Sequence, residues 1–138
     1  MTVLLADTSA WHRSAHPAVR EEWHRVMAGE HLAVCDTVRL EVLYSARNLA
    51  EYVRRDGDMD TLQQASSDAA TFRRARQVQH LLGRRGGLHH RSVRIPDLLI
   101  AASAEAAGFT VWHYDEDFDR IADITGQPTL WVAPRGSL

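Results

Sequence analysis

At 138 residues the chain is long enough for one hydrophobic core and short for two. Apolar residues make up 45% and charged residues 25%, which excludes a disordered chain, and no apolar run approaches the roughly 20 residues of a membrane-spanning helix. A net charge of −2 gives no overall attraction to polyanions, and the single cysteine, Cys35, excludes an internal disulfide and fits a reducing compartment.

The opening Met1-Thr2-Val3-Leu4-Leu5-Ala6-Asp7 lacks the basic segment of a targeting leader and reads as a strand already in the fold, so a cytoplasmic location is expected. Its apolar run, Val3 to Ala6, ends at Asp7, and Asp7-Thr8-Ser9 supplies capping chemistry for a helix beginning near Ala10 and Trp11. Pro17 opens a second helix with Val19, Trp23, Val26 and Met27 at helical spacing, closed by Gly29. His31 to Cys35 is a second short strand, in which Cys35 reads as a buried bystander. Asp36 or Thr37 caps a third helix with Val38, Leu40, Val42, Leu43 and Ala46 as its apolar set. One or two further helices cover Leu49 to Ala70, interrupted around Gly57.

Phe72, Ala75, Val78, Gln79 and Leu82 mark the stripe of the next helix, which breaks at Gly83 to Gly87. Val93 to Ile95 is a short extended piece. Pro96 starts a helix over Asp97 to Ala107 that Gly108 ends. A strand from Phe109 to Tyr114, a short helix from Asp117 to Ile124 and a last strand from Thr129 to Val132 complete the chain. Short strands alternating with helices predict an α/β fold, a single domain over residues 1–138 with a central parallel sheet flanked by helices. In such sheets function gathers beyond the carboxyl ends of the strands.

Two acids fall at that edge by position: Asp7 follows the first strand and Asp115 follows the strand ending at Tyr114. Asp117 reaches the same mouth. Asp97 sits in the first turn of its helix, where free N–H groups and the backbone dipole favour an ionised carboxylate. Glu41, flanked by apolar residues, is drawn toward the interior. Taken singly, each of these acids is equally readable as a cap, turn or surface residue; their matching positions are what make them a set. Carboxylates that converge at about 4 Å repel by around 4 kcal/mol per pair at an effective dielectric near 20. A divalent cation removes that cost, and an all-oxygen ligand set favours magnesium or manganese over zinc. The chemistry this points to is metal-assisted hydrolysis of a phosphodiester.

The charge distribution fits such a substrate. From Ala69 to Pro96 there is no acid, while Arg73, Arg74, Arg76, Arg84, Arg85, Arg91 and Arg94 all fall there. Arg84, Arg85, Arg91 and Arg94 are candidate contacts to the phosphates of such a substrate, with an ordinary solvated face as the alternative. Zinc is not favoured, since His89 and His90 are adjacent and face different ways, and the single cysteine cannot supply a Cys pair. His113 reads as a partly buried strand residue more readily than as a general base. Trp11, Trp23, Trp112 and Trp131 read as core or dimer residues.

The segments Leu5-Ala6-Asp7-Thr8-Ser9-Ala10-Trp11, Arg39-Leu40-Glu41-Val42-Leu43, Ile95-Pro96-Asp97-Leu98-Leu99-Ile100-Ala101-Ala102 and His113-Tyr114-Asp115-Glu116-Asp117-Phe118-Asp119 resemble, in order, the four acidic motifs of PIN-domain nucleases. More narrowly the chain is similar to the VapC toxins of bacterial type II toxin–antitoxin systems, over essentially its whole length. The resemblance implies a PIN-like fold, often as a homodimer, and a magnesium-dependent ribonuclease that cuts tRNA or rRNA and is silenced by a VapB antitoxin. Carried over by motif, Asp7 and Asp97 are the principal metal ligands, and Glu41, Asp115 and Asp117 complete the pocket. Thr8 or Ser9 holds a ligand or a phosphate oxygen. The weaker core pattern over Leu49 to Ala70 is where a groove for a partner peptide is expected.

Other functions fit less well. A haloacid-dehalogenase-type phosphatase needs an acid at Ser9, and a phosphoacceptor receiver domain needs a lysine, which this chain lacks altogether. A catalytically silent RNA-binding relative and a housekeeping RNA-processing nuclease without antitoxin are the alternatives that the motifs leave open.

Overall fold

In the computed structural model residues 2–138 are described, so Met1 of the expected opening strand lies outside the described residues. The elements run β1 (Leu4–Ala6), α1 (Thr8–His12), α2 (Arg20–Ala28), β2 (Leu32–Cys35), α3 (Asp36–Tyr44), α4 (Leu49–Asp60) and β3 (Gln63–Ala65). They continue with α5 (Ala69–Gly83), a short 3-10 turn at His89–Arg91, α6 (Ile95–Ala107), β4 (Thr110–His113), α7 (Asp117–Thr125) and β5 (Thr129–Trp131). The strands form one parallel sheet in the order β3-β2-β1-β4-β5, as the alternation of strands and helices predicts. Register is set by Leu4 opposite Leu32 and Ala6 opposite Trp112.

Helices cover both faces, so the inner strands β1, β2 and β4 are largely apolar and their side chains alternate between two cores. Leu5 and Val111 join the larger core with Val38 of α3, Val78 of α5, Ile100 of α6 and Phe118 of α7. Leu4, Ala6 and Trp112 point the other way, against Val19 and, from α2, Trp23 and Val26. There Trp23 stacks on Trp112 at 5.3 Å and meets the edge of Trp11 at 4.9 Å, so three of the four tryptophans are packing residues.

The sheet's middle strand is β1, and the chain steps outward to β2 and β3 on one side before returning to β4 and β5 on the other. The topological switch therefore lies between β1 and β4, whose carboxyl ends carry Asp7 and Asp115. Open α/β sheets bind their ligands in the crevice at that point.

Several elements differ from expectation. Residues 63–65, expected as helix, form β3. Gln63-Gln64-Ala65 has no β-branched or aromatic signal, and it becomes a strand by pairing Val34 with Gln64 along the edge of β2. Helix α4 runs through Gly57 without a break, because that glycine is exposed with nothing near it, which costs only about 1 kcal/mol against alanine. Asp68 and Thr71 form a capping box that starts α5 three residues early. Its buried stripe is Thr71, Ala75, Val78 and Leu82, which leaves Phe72 exposed instead of on the stripe. In α3, Val38 and Val42 are buried one turn apart, so Leu40 lies on the solvent side. The segment from Val93 to Ile95 joins no strand; Val93 is buried in the core and Ile95 is already the first residue of α6. The second helix begins at Arg20, after a turn at Pro17 to Val19.

Candidate active site

Asp7 is held from three sides. Its N–H donates to the Trp112 carbonyl at 3.0 Å, which fixes it at the end of the sheet. Its carboxylate caps α1, accepting from Ala10 N–H at 3.0 Å and from the Ser9 hydroxyl at 2.7 Å. Ser9 also accepts from Tyr114 N–H at 2.9 Å and so ties α1 to the end of β4. The Thr8 hydroxyl donates to Glu41 Oε1 at 2.6 Å, which draws the half-buried Glu41 of α3 toward the same mouth. Both small hydroxyl residues thus hold acids in place.

Asp97, Asp115 and Asp117 come from the first turn of α6, the end of β4 and the first turn of α7. Each offers a carboxylate oxygen, and these three oxygens lie within 4.8 Å of one another. Asp115 Oδ1 accepts from Asp117 N–H at 2.9 Å, which orders the turn between them. Asp7 lies outside that trio, although it was expected to be one of the two principal ligands. It borders the trio, since its charge acts on Asp97 and that of Asp115 acts on Asp7.

Asp7 and Asp97 are each only 1% exposed. At both, burial outweighs the helix-start field that was expected to favour ionisation. Burial pushes Asp7 up to about 6 from an ordinary 3.8, against the lowering effect of the Ser9 and Ala10 hydrogen bonds. Asp97 is raised further, by burial first, then by a hydrogen bond with Asp117 and the charges of Asp115 and Asp7; Arg94 opposes this. A divalent cation would relieve the burial of Asp7 and Asp97, the two acids that hold protons above the usual range. The donors fit such an ion: all are carboxylate oxygens, with no nitrogen or sulfur among them.

Arg94 is where the structure adds most to the expectation. Its Nη2 lies 3.3 Å from both Asp97 Oδ2 and Asp115 Oδ2, so one guanidinium bridges two of the trio. Arg120, which the sequence did not single out, donates to Asp117 Oδ1 at 2.7 Å and to Glu116 Oε1 at 2.8 Å. Its signal was present in the (i, i+3) and (i, i+4) spacing to those acids. Of the other expected phosphate contacts, Arg84, Arg85 and Arg91 are exposed, and none reaches a carboxylate of the site among the described residues. Arg85 shares a shallow hollow with Arg120, which places it on the rim.

His113 is excluded as a base. It is fully buried between Phe118 and Trp131, its Nδ1 accepts from Asp115 N–H at 3.2 Å, and burial pushes its imidazole down to about 4. Cys35 is buried and its thiol is pushed up to about 11 by burial, so it is no nucleophile.

Residues 4–124 match the PIN domain family. Ribonuclease VapC18 of Mycobacterium tuberculosis is 51% identical over 136 residues, covering 99% of each chain. Ribonuclease VapC51 of the same organism is 42% identical over 134 residues, 97% of this chain and 96% of that one. Among solved structures, DNA-bound VapBC from Salmonella typhimurium superposes with a TM-score of 0.75 at 20% identity, over 96% of this chain and 100% of that chain. Mycobacterium tuberculosis VapC20, described as a sarcin-ricin loop cleaving toxin, gives 0.59 at 17% identity, over 85% of this chain and 93% of that chain. At these identities the two structures show the shared fold.

Proposed function

The chain belongs to the PIN-domain family and, within it, to the VapC ribonucleases, and from that premise we propose that it is the metal-dependent endoribonuclease toxin of a toxin–antitoxin pair. The observation that carries this reading is the convergence of Asp97, Asp115 and Asp117 beside Asp7 and Glu41 at the switch point of the sheet.

Asp97, Asp115 and Asp117 would hold the cation, with Asp7 completing the set and Glu41 fixed behind it by Thr8. The hard oxygen donors favour magnesium, with manganese as the substitute. Bound there, a divalent cation supplies Lewis-acid polarisation of a phosphodiester and lowers the pKa of an attacking water. The basicity that burial gives Asp7 strengthens its grip on a cation. Arg94, which spans Asp97 and Asp115, would be placed to meet the negative charge of the phosphate. Arg84, Arg85 and Arg91 extend that positive rim along the RNA, for which tRNA or rRNA is the proposed class. Purified protein is expected to cut total RNA with magnesium and to stop when EDTA is added. Cleavage that persists in chelator would overturn the metal-dependent reading.

For the antitoxin, the proposed seat is the outer face of α3 and α4, where Leu40, Tyr44, Leu49, Tyr52 and Val53 are exposed, Tyr44 at 92%. This includes the start of the Leu49 to Ala70 stretch expected to bind a partner and extends it onto α3. No helix among the described residues is long and apolar enough to cross a membrane, and the cytoplasm is the proposed location. The toxin is proposed to be a homodimer. Sedimentation of the protein alone tests the dimer, and co-purification of a small partner from the native host tests the antitoxin. Leu40→Glu with Tyr52→Glu is expected to release that partner and leave RNA cleavage intact; undiminished capture would place the antitoxin elsewhere.

A further inference from the structure

We infer that Arg13 is a fixed RNA-phosphate contact, seated on the ring of Tyr114 at the edge of the carboxylate pocket. The inference rests on the ribonuclease reading above and concerns how that site grips its substrate.

Arg13 ends α1, whose other end is capped by Asp7, and Tyr114 stands between β4 and Asp115. The guanidinium carbon of Arg13 lies 4.4 Å from the centre of the Tyr114 ring, and its Nη1 donates to the Ser9 carbonyl at 3.0 Å. Ser9 is the residue that holds Asp7 through its hydroxyl and accepts from Tyr114 N–H. One residue therefore links the anchor of Arg13 to the first acid of the site. The platform is held as well. The Tyr114 hydroxyl accepts from Leu138 N–H at 2.8 Å, and Trp131 meets the ring edge-on at 5.5 Å.

What separates Arg13 from Arg94, Arg120 and Arg135 is the lack of a counter-ion. Arg94, Arg120 and Arg135 each lie on carboxylates around the pocket. Arg13 pairs with no carboxylate among the described residues; its partners are a ring face and one backbone carbonyl. A guanidinium held this way keeps its other N–H donors for a planar or tetrahedral anion, and little rotamer freedom remains to be lost when the anion arrives. A pocket of five acids repels the RNA backbone, so a fixed positive charge at the far end of α1 from Asp7 is placed to seat a neighbouring phosphate. Phosphate is the anion that RNA presents at every nucleotide.

The test uses full-length protein carrying Asp97→Asn, which binds RNA without cutting it, and labelled bulk tRNA as the probe. Adding Arg13→Gln is expected to weaken binding about tenfold and to flatten the dependence of log K on log salt by about 0.7–0.9, the contribution of one phosphate contact. Arg13→Lys is expected to keep the slope but lose about threefold in affinity, since the charge stays and the fork goes. Magnesium affinity, read by calorimetry on otherwise wild-type protein, is expected to stay the same. Equal affinity and slope with and without Arg13→Gln would overturn the inference, as would a loss matched by weaker magnesium binding. Should Arg13→Gln not fold, phenylglyoxal labelling of Arg13 decides, with at least about fivefold protection expected when tRNA saturates. Unchanged labelling would overturn it. Failure of the wild-type protein to cut RNA and of the Asp97→Asn protein to bind tRNA would sink the ribonuclease reading itself; cleavage and binding indifferent to Arg13 would sink only this inference.

Discussion

Asp97→Asn is expected to lower RNA cleavage by at least about a thousandfold, because a metal's stabilisation of the transition state is worth several kcal/mol and each 1.36 kcal/mol is tenfold in rate. The substitution is nearly isosteric and leaves Pro96 and the start of α6 in place, so the fold stays. What it removes is one of three carboxylate oxygens within 4.8 Å of one another, and with it the charge that holds a cation. Magnesium affinity should fall alongside, which calorimetry measures, and Asp117→Asn should act in the same direction. Far-ultraviolet circular dichroism checks that the protein remains folded. Cleavage within about tenfold of wild type, with normal folding, would remove Asp97 from the site.

Asp7→Asn should inactivate the enzyme and yet stabilise the metal-free protein at neutral pH. Burial raises Asp7 to about 6 from an ordinary 3.8, so the folded state favours its protonated form. The stability this group contributes is fully present below about pH 4, is lost as pH rises toward 6, and stays lost above it. A shift of that size corresponds to about 3 kcal/mol at pH 7.5. Asparagine carries no charge and its amide oxygen can still accept from Ala10 N–H. In EDTA at pH 7.5 the variant should melt roughly 10 °C above wild type, and the gap should close near pH 4. His113 runs the other way: depressed to about 4 from 6.5, it costs stability as pH falls from 6.5 to 4. Because both proteins contain His113, its contribution cancels in the difference between their melting curves. Saturating magnesium should narrow the gap at pH 7.5 by stabilising wild type preferentially. A wild type at least as stable as the variant in chelator at pH 7.5 would show that Asp7 is not held against its own charge.

These two outcomes belong together. Burial of Asp7 and Asp97 works against their charge, and a bound cation is expected to relieve it. Natural sites commonly keep such local strain because the remaining structure is stable enough to carry it.

Most of the fold was legible from residue patterns. Asp7 after an apolar run, Pro96 and Gly108 around a helix, and acids at the ends of two strands are local signals, and each marks the element it predicted. The parallel sheet and the acids' place at its carboxyl edge followed from those signals, because a short strand followed by a helix leaves few topologies. Residues whose fate depends on a distant partner were not legible. Gln63-Gln64-Ala65 becomes a strand only through β2, and Phe72 is exposed only because Thr71 is drawn inward by its capping box. The protonation of the site was misjudged for the same reason: a helix start is visible in the sequence, but the burial that overrides it is not. Arg94 could be named as basic from the sequence, yet its position across Asp97 and Asp115 exists only where α6 meets the end of β4. The sequence by itself determined which acids were available and on which elements they would sit. Only the tertiary structure decided that Asp97, Asp115 and Asp117 cluster within 4.8 Å, and that Asp7 borders them at the expense of its own charge.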